Sequence, residues 1–303
     1  MASWNEILDE IERYRRTHFV PPEVAIDYVR RRYLRRLFNY TKRNIITYYS
    51  AFQTKPGIFG LGIEDGDKNG LMMAVHKMDR TLGLDLFLHT PGGEAYATES
   101  IVNYLRQMFG TDIRAIVPLQ AMSAGTMIAC ACKIIVLGKQ SALGPIDPQL
   151  QNVPAHGVIN EFQTAYQEIS ADVNKLHVWR PIIEKYHPTF LSQCQNAIKW
   201  SEEFARKALI TGMFNGEEDG PSIANSIISS LTNYTENGNH NRHIHVDACV
   251  EMGLKIYRLE DDQIFQDLVL SVHHSYMVTV QNTPAVKMIE NHRGHLYSLG
   301  VRN

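Results

Sequence analysis

Three short apolar runs between residues 85 and 150 constrain the fold of this chain more than any other part of its sequence. They are Asp85–His89, Arg114–Pro118 and Lys133–Gly138, and glycine, serine or proline residues follow each of them. Segments with helical spacing, such as Glu94–Phe109, lie among these runs. Strands that alternate with helices at this spacing form a parallel sheet through right-handed crossovers. The sequence therefore predicts an α/β fold whose functional loops follow the carboxyl ends of the strands.

Two of these loops have the composition of a catalytic site. The first run leads into TPGG (90–93), where two glycines let the backbone point free N–H groups into a cleft. The second leads into AMSAGT (121–126), which predicts a turn with Ser123 at a helix N-terminus. Unpaired N–H groups and the positive end of the helix dipole stabilise an oxyanion at that position. Either loop alone could be an ordinary turn or cap, but their occurrence at successive strand ends indicates an acyl-transfer site.

Composition and charge argue against several classes of protein. A net charge of −2 gives no electrostatic reason to expect a nucleic-acid partner. Residues 1–16 lack the apolar core of a secretory signal, and the apolar run 121–138 is interrupted by Lys133, so no membrane span is expected. The four cysteines have neither zinc-ligand spacing nor a disulfide framework, which favours a reducing compartment. We therefore expect a cytoplasmic protein without a metal site.

The chain divides into three expected segments: a helical appendage (1–42), an α/β domain (43–262) and a C-terminal helical segment (263–303). Basic residues cluster in the appendage and predict a solvated helix face or a subunit contact, with binding of RNA or anionic lipid as the alternative. Asn44–Phe52 is β-branched and aromatic and is predicted to be the first strand of the domain. The loop Gly57–Gly70 has no GxGxxG or GxxxxGK pattern, so no nucleotide site is expected there. The basic cluster of the helical appendage (1–42) consists of Arg30, Arg31, Arg32, Arg35 and Arg36.

The order of these motifs resembles that of the Clp/crotonase-type serine peptidases. The motifs are TPGG after an apolar strand, then AMSAGTMIA, then SALGPIDPQ. From RNIITYYS through KYHPTF to LEDDQIFQDLVLSVHH, roughly residues 25 to 295, the chain is most similar to the serine dehydrogenase proteinase family, a soluble relative of signal peptide peptidase A. Despite that name, nothing in the sequence indicates hydride transfer.

The resemblance implies a Clp/crotonase-like fold and peptide hydrolysis through an acyl-enzyme on Ser123, without a cofactor. It implies an oxyanion hole made by the backbone N–H groups of Gly93 and Ala124, with Gly92 shaping the turn. It also implies a homo-oligomer with a peptide or protein substrate. The sequence leaves open whether a regulatory or ATPase partner feeds the site.

The group that activates the serine is open at this stage. Clp-type enzymes carry a histidine where this chain has Asp147, which favours an orienting role for Asp147 over a direct role as base. Relatives of signal peptide peptidase A use a lysine of lowered pKa. Lys175 occupies a similar context, and Lys185 is its rival. His89, His240 and His243 are further candidates, and in each case an ordinary polar side chain is the alternative.

Two other functions compete with peptide hydrolysis. A non-catalytic oligomeric scaffold could keep the fold and bind a peptide or a partner protein. Acyl-CoA chemistry is disfavoured, because crotonases normally use carboxylates and oxyanion amides without a serine at the position of Ser123.

Overall fold

The computed structural model describes residues 1–151, 153–233 and 242–301 of the chain. Its α-helices are α1 (Trp4–His18), α2 (Pro22–Thr41), α3 (Asp67–Val75), α4 (Ala95–Phe109), α5 (Ala124–Cys130), α6 (Ala155–Ala171), α7 (Leu176–Ile183), α8 (Phe190–Thr211), α9 (Gly220–Thr232), α10 (Val246–Glu251) and α11 (Gln263–Asn282). Its strands are β1 (Asn44–Ser50), β2 (Leu84–His89), β3 (Ile113–Val117), β4 (Gln120–Ala121), β5 (Ile134–Leu137), β6 (Ala142–Leu143), β7 (Gln149–Leu150), β8 (Val153–Pro154), β9 (Ile244–His245), β10 (Ile256–Arg258), β11 (Ala285–Asn291) and β12 (Leu296–Gly300). Within the described ranges, no helix combines the length and the apolar character that crossing a bilayer requires.

A seven-stranded sheet of described residues forms the centre of the fold, in the order β10-β5-β3-β2-β1-β11-β12. The strands from β10 to β1 run parallel, whereas β11 and β12 are antiparallel to their neighbours. The predicted α/β architecture with a parallel sheet is confirmed. A second sheet, β4-β6-β9, meets the end of β2 where Thr90 bridges Ala121. This junction brings together the two loops that the sequence singles out.

Helices cover both faces of the large sheet, which explains why its parallel strands read as continuous apolar runs. Alternate side chains of one strand enter two different cores. In β2, Leu86 and Leu88 join a core that includes residues of α3, α4, α5, α8 and α9, whereas Phe87 joins a core that includes residues of α1, α2 and α11. The turns that carry functional residues therefore rest on a scaffold that is buried on both sides.

The N-terminal helices contribute to the second core, and the arginines of α2 do not form one solvated face. Arg30 is fully buried, and its Nε lies 2.7 Å from Oε2 of Glu290 in β11. Arg31 contacts the same carboxylate through its Nε, also at 2.7 Å. The interpretation as a solvated face is wrong for Arg30, because α2 packs on the sheet directly opposite a buried acid. Helical spacing cannot reveal a partner 260 positions away in the chain.

The C-terminal segment is only partly helical. After α11 the chain forms β11 and β12, which extend the large sheet beside β1. The expectation of a helical segment is therefore wrong for residues 285–300. Lys287 and Glu290 interrupt the apolar pattern of β11, yet both are fully buried because each meets an opposite charge inside the protein. The division of the chain at residues 42 and 262 stays a prediction.

Arg30→Met should lower the free energy of unfolding by about 3–5 kcal/mol, because it leaves the Glu290 carboxylate buried with only part of its compensation. The double variant Arg30→Met/Glu290→Gln should recover much of that loss. Arg35→Met, at an exposed position on the same helix, should change stability by less than about 0.5 kcal/mol. Urea unfolding of the four proteins measures these differences. Equal effects at positions 30 and 35 would show that the buried pair does not matter.

Candidate active site

Ser123 immediately precedes α5 and has a backbone conformation that L-residues rarely adopt, with φ 49° and ψ −111°. Such a conformation costs on the order of 1–3 kcal/mol and persists only where the surrounding structure enforces it. The serine side chain does not cap the helix that it precedes. The predicted turn with a serine at the helix N-terminus is therefore present, and the Ser123 hydroxyl makes no capping hydrogen bond.

Backbone hydrogen bonds between the two predicted loops hold this turn in place. The N–H of Thr90 donates to the carbonyl of Gln120 at 3.1 Å, and the N–H of Met122 donates to the carbonyl of Thr90 at 3.0 Å. The N–H of Gly125 closes the turn around the serine by donating to the carbonyl of Met122 at 2.8 Å. As a result, the TPGG loop lies directly against the residues that flank Ser123.

Glycines permit this close approach because they have no Cβ. A Cβ on Gly92 would lie 2.9 Å from the Cβ of Ser123, and a Cβ on Gly93 would lie 2.2 Å from the backbone nitrogen of Ile63. Both glycines also have positive φ, 103° and 154° respectively. From the other side, a Cβ on Gly144 would lie 3.0 Å from the nitrogen of Ser123. Real Cβ atoms essentially never approach within 3.0 Å, so the turn depends on glycine at positions 92 and 93, and Gly144 packs tightly against it.

The backbone N–H groups of Gly93 and Ala124 are both available at this turn. Two hydrogen bonds bracket Gly93, from the N–H of Ile63 to the carbonyl of Gly92 at 2.7 Å and from the N–H of Glu94 to the carbonyl of Ile63 at 2.8 Å. Neither bond uses the N–H of Gly93 itself. Ala124 is the first residue of α5, so its N–H has no partner within the helix. Both residues line the same cavity as Ser123.

This cavity has a volume of about 590 Å³ and is lined mainly by apolar and aromatic side chains. Carboxylates interrupt the apolar lining at three positions. The larger apolar and aromatic residues are Phe59, Ile63, Tyr96, Met127, Ile146, Leu150 and Trp200, and the acidic residues are Glu64, Glu94 and Asp147. A concave and largely apolar space beside a strained serine suits a peptide or acyl substrate.

A buried ion network supports the part of the cavity lining that Ile63 and Glu64 form. Lys287 and Asp67 are fully buried, and the Nζ of Lys287 lies 2.8 Å from Oδ1 of Asp67 and 3.2 Å from Oε1 of Glu64. The backbone N–H of Glu64 donates to Oδ2 of Asp67 at 3.0 Å. Because Ile63 pairs with the glycine turn, this network anchors the TPGG loop to β11. Sequence reasoning missed it, since Lys287 lies far along the chain and matches no motif.

Neither of the lysines that the resemblance suggests as a base lines the cavity. Lys175 lies in the 3₁₀ turn before α7, where its Nζ is 3.5 Å from Oε2 of Glu168 and its side chain is about half exposed. Lys185 is exposed just after α7. The structure thus brings Ser123, Gly92, Gly93, Ala124 and Asp147 together, and leaves both lysines on the surface.

Asp147 has an imidazole partner that the sequence analysis did not single out. Nδ1 of His156, in the first turn of α6, lies 2.8 Å from Oδ1 of Asp147. The side chain of Asp147 is almost completely buried, and that of His156 is mostly buried. No spacing motif marks this histidine, but its place nine residues after Asp147 is the signal that could have found it. The chain therefore carries an imidazole–carboxylate pair at the edge of the cavity.

The other predicted histidines have different surroundings. His89 is fully buried, and its ring contacts those of Tyr49, Phe52 and His273. Burial lowers the pKa of His89 to about 3, so it is neutral in the folded protein. His243 is exposed, with a ring nitrogen 3.1 Å from Nε2 of Gln120, and His240 lies outside the described residues. His89 therefore supports β2 beneath the glycine turn and does not line the cavity.

The stability of the protein should decrease as the pH falls from about 6.5 to about 3. The unfolded chain binds a proton on His89 below pH 6.5, the ordinary pKa, whereas the folded chain does so only near pH 3. One such group contributes a slope of up to about 1.4 kcal/mol per pH unit in this window. His89→Phe should reduce the slope, and the same change at exposed His177 should not. Urea unfolding between pH 3 and 7 would contradict this role if the wild-type and His89→Phe slopes coincide.

Comparison with known proteins identifies relatives of this chain. It is 35% identical to MJ0137, an uncharacterized protein of Methanocaldococcus jannaschii, over 132 residues that cover 42% of this chain and 45% of the relative. It is 27% identical to MJ1495 of the same organism over 194 residues, covering 64% of this chain and 58% of the relative. The chain thus spans about half the length of the curated relatives it matches.

Solved structures and family profiles extend this comparison. The chain is similar to a mutant of the 1510-N membrane-bound stomatin-specific protease, with 14% identity, a TM-score of 0.37 and coverage of 64% of this chain and 74% of that one. The profile of the ClpP-like SDH-type serine proteinases matches residues 20–266. This match covers most of the chain and includes both loops of the site, so the chain belongs to the ClpP-like SDH-type serine proteinase family.

Proposed function

We propose that the chain is a serine endopeptidase that hydrolyses peptide bonds through an acyl-enzyme on Ser123. The observation that carries the proposal is the strained serine, which lines an apolar cavity together with the available N–H groups of Gly93 and Ala124. Its membership of a serine proteinase family supports the same chemistry. No metal, nucleotide or other cofactor takes part in this mechanism.

The reaction has two chemical stages. In the first, Oγ of Ser123 loses its proton to a base and attacks the scissile carbonyl, whose oxygen becomes an oxyanion that accepts hydrogen bonds from Gly93 and Ala124. The C–N bond then breaks, and the amine leaves with the proton. In the second, the base takes a proton from a water molecule, whose oxygen attacks the acyl carbon. The bond from that carbon to Oγ then breaks, the base returns the proton to Oγ of Ser123, and the acid product leaves. Loss of one oxyanion donor typically lowers turnover about 10²- to 10³-fold.

The proposed base is Lys175, in a Ser-Lys dyad. Because Lys175 does not line the cavity, the dyad requires residues 173–185 to approach Ser123. Two observations support such a rearrangement: α7 buries none of its residues, and Val173 and Val178 are exposed. Lys185, at the other end of the same segment, is the alternative lysine.

Asp147 and His156 form a second candidate base, favoured by a specific observation. Asp147 already lines the cavity with Ser123, and His156 lies within hydrogen-bond distance of it. In this version the carboxylate, oriented by the imidazole, accepts the serine proton without movement of α7. The lysine and the Asp147–His156 versions predict different effects of mutation.

Labelling by a fluorophosphonate, followed by intact mass, tests the nucleophile and separates the two bases. Ser123→Ala should abolish labelling. With a Ser-Lys dyad, Lys175→Ala or Lys185→Ala should slow labelling at least about 100-fold. If Asp147 and His156 form the base, Asp147→Asn and His156→Ala should slow labelling at least about 100-fold, and the two lysine variants should not slow it. Lys199→Ala, at an exposed position on α8, is the control and should label like the wild type. A wild type that is folded but not labelled would contradict the proposal and favour the scaffold alternative.

Gly92→Ala should slow labelling of Ser123 at least about 100-fold, because the added methyl group would occupy the space of the Ser123 Cβ and displace the turn. Gly66→Ala is a matched control, since a Cβ at Gly66 meets no other atom within 4 Å. Circular dichroism should show that both variants are folded. Wild-type labelling by Gly92→Ala would mean that the turn tolerates a side chain and that the proposed oxyanion geometry is wrong.

We also propose that the protein forms a homo-oligomer in the cytoplasm and acts on peptide or protein substrates, alone or with a regulatory or ATPase partner. Exposed apolar side chains on α6 and before α7, among them Tyr166 and Val173, support an assembled form. Light scattering on the purified full chain measures the oligomeric state, and a monomer at all concentrations would contradict it.

A further inference from the structure

Thr126 is a fully buried residue in the first turn of α5, and its hydroxyl makes unusual contacts. A threonine within a helix commonly donates to a carbonyl of the preceding turn of its own helix. Oγ1 of Thr126 instead lies 2.9 Å from the carbonyl oxygen of Ala121 and 2.8 Å from that of Gly144. It also accepts a hydrogen bond from the N–H of Gly144 at 3.0 Å. The hydroxyl therefore joins the helix to two strands of the smaller sheet.

These contacts surround the peptide of Ser123. Ala121 ends β4, and Gly144 follows β6, which pairs with β4 in parallel. The N–H of Gly144 also donates to the carbonyl of Ala121, at 3.3 Å. Gly144 packs so closely on the serine that a Cβ there would lie 3.0 Å from the nitrogen of Ser123. The Thr126 hydroxyl thus connects α5, the helix after Ser123, to the strand before the serine and to Gly144 beside it.

We propose that Thr126 is a positioning residue for the nucleophile. Its hydroxyl keeps Gly144 against the Ser123 peptide and maintains the backbone conformation that directs Oγ of Ser123 and the N–H of Ala124 toward one substrate carbonyl. This role rests on the proposed function of Ser123. Thr126 does not line the cavity, so it acts through the serine and not on the substrate.

Two substitutions separate the hydroxyl of Thr126 from its methyl group. Thr126→Val keeps the shape of the side chain but removes the hydroxyl, so the N–H of Gly144 and the two carbonyls lose their shared partner. Thr126→Ser keeps the hydroxyl and removes the methyl group. If Thr126 only fills space, the serine variant should be the more damaged one. If the Thr126 hydroxyl positions the nucleophile, the valine variant should be the more damaged one.

The experiment measures kcat and KM for an unstructured protein substrate, such as casein, together with the rate of fluorophosphonate labelling. Thr126→Val should lower kcat and the labelling rate at least tenfold and leave KM within about twofold, because the cavity lining is unchanged. Thr126→Ser should stay within about threefold of the wild type. Thr279→Val removes a buried hydroxyl from α11, which covers the opposite face of the sheet, and should leave both rates unchanged per folded molecule.

The results that would overturn the proposal are distinct from those that would overturn the function. Equal kcat in wild type and Thr126→Val, or a serine variant as slow as the valine variant, would remove the role of Thr126 alone. Complete absence of labelling in the wild type would overturn the proposed function and this role with it. If Thr126→Val does not fold, Thr126→Ala and Thr126→Ser differ by the same hydroxyl, and equal kcat in these two variants would contradict the proposal.

Discussion

The site depends on the close approach of three backbone segments around Ser123. The TPGG loop, the turn before α5 and Gly144 after β6 meet so closely that a Cβ on Gly92 would lie 2.9 Å from the Cβ of Ser123, and one on Gly144 would lie 3.0 Å from the Ser123 nitrogen. Close packing then enforces a serine conformation that the chain would not adopt alone. Because the neighbouring segments belong to two sheets, the geometry of the nucleophile is a property of the whole scaffold and not of the local sequence.

Buried charges hold that scaffold together across large distances in the sequence. Lys287 in β11 anchors Asp67 and Glu64, and through them the segment that pairs with the glycine turn. On the other face of the sheet, Arg30 meets Glu290, also in β11. Removing one partner from such pairs costs far more than the intact pair gains, because it leaves a charge buried and unpaired. A single C-terminal strand therefore joins the N-terminal helices to the wall of the cavity.

Much of the fold and part of the site could be predicted from the sequence. Strands β1, β2, β3 and β5 are predicted from their largely apolar or β-branched runs, because a parallel sheet that is buried on both faces has apolar side chains at most positions. The glycine turn and Ser123 belong to local sequence patterns, so each of these residues could be predicted individually. Strand β11 could not be predicted in this way, because Lys287 and Glu290 resemble surface residues until their buried partners are known. The contact between His156 and Asp147 was missed for a related reason, since no local pattern marks it.

The position of β11 within the sheet sets an order of events during synthesis. β1 leaves the ribosome long before β11, yet one of its two edges pairs with that strand. Until residues 285–291 emerge, that edge offers unpaired N–H and C=O groups to any other extended chain. The first core elements can form early, but the sheet that carries Ser123 is completed late. Nascent chains should therefore be at their most aggregation-prone, and most in need of a chaperone, after β1 has emerged and before residues 285–291 follow.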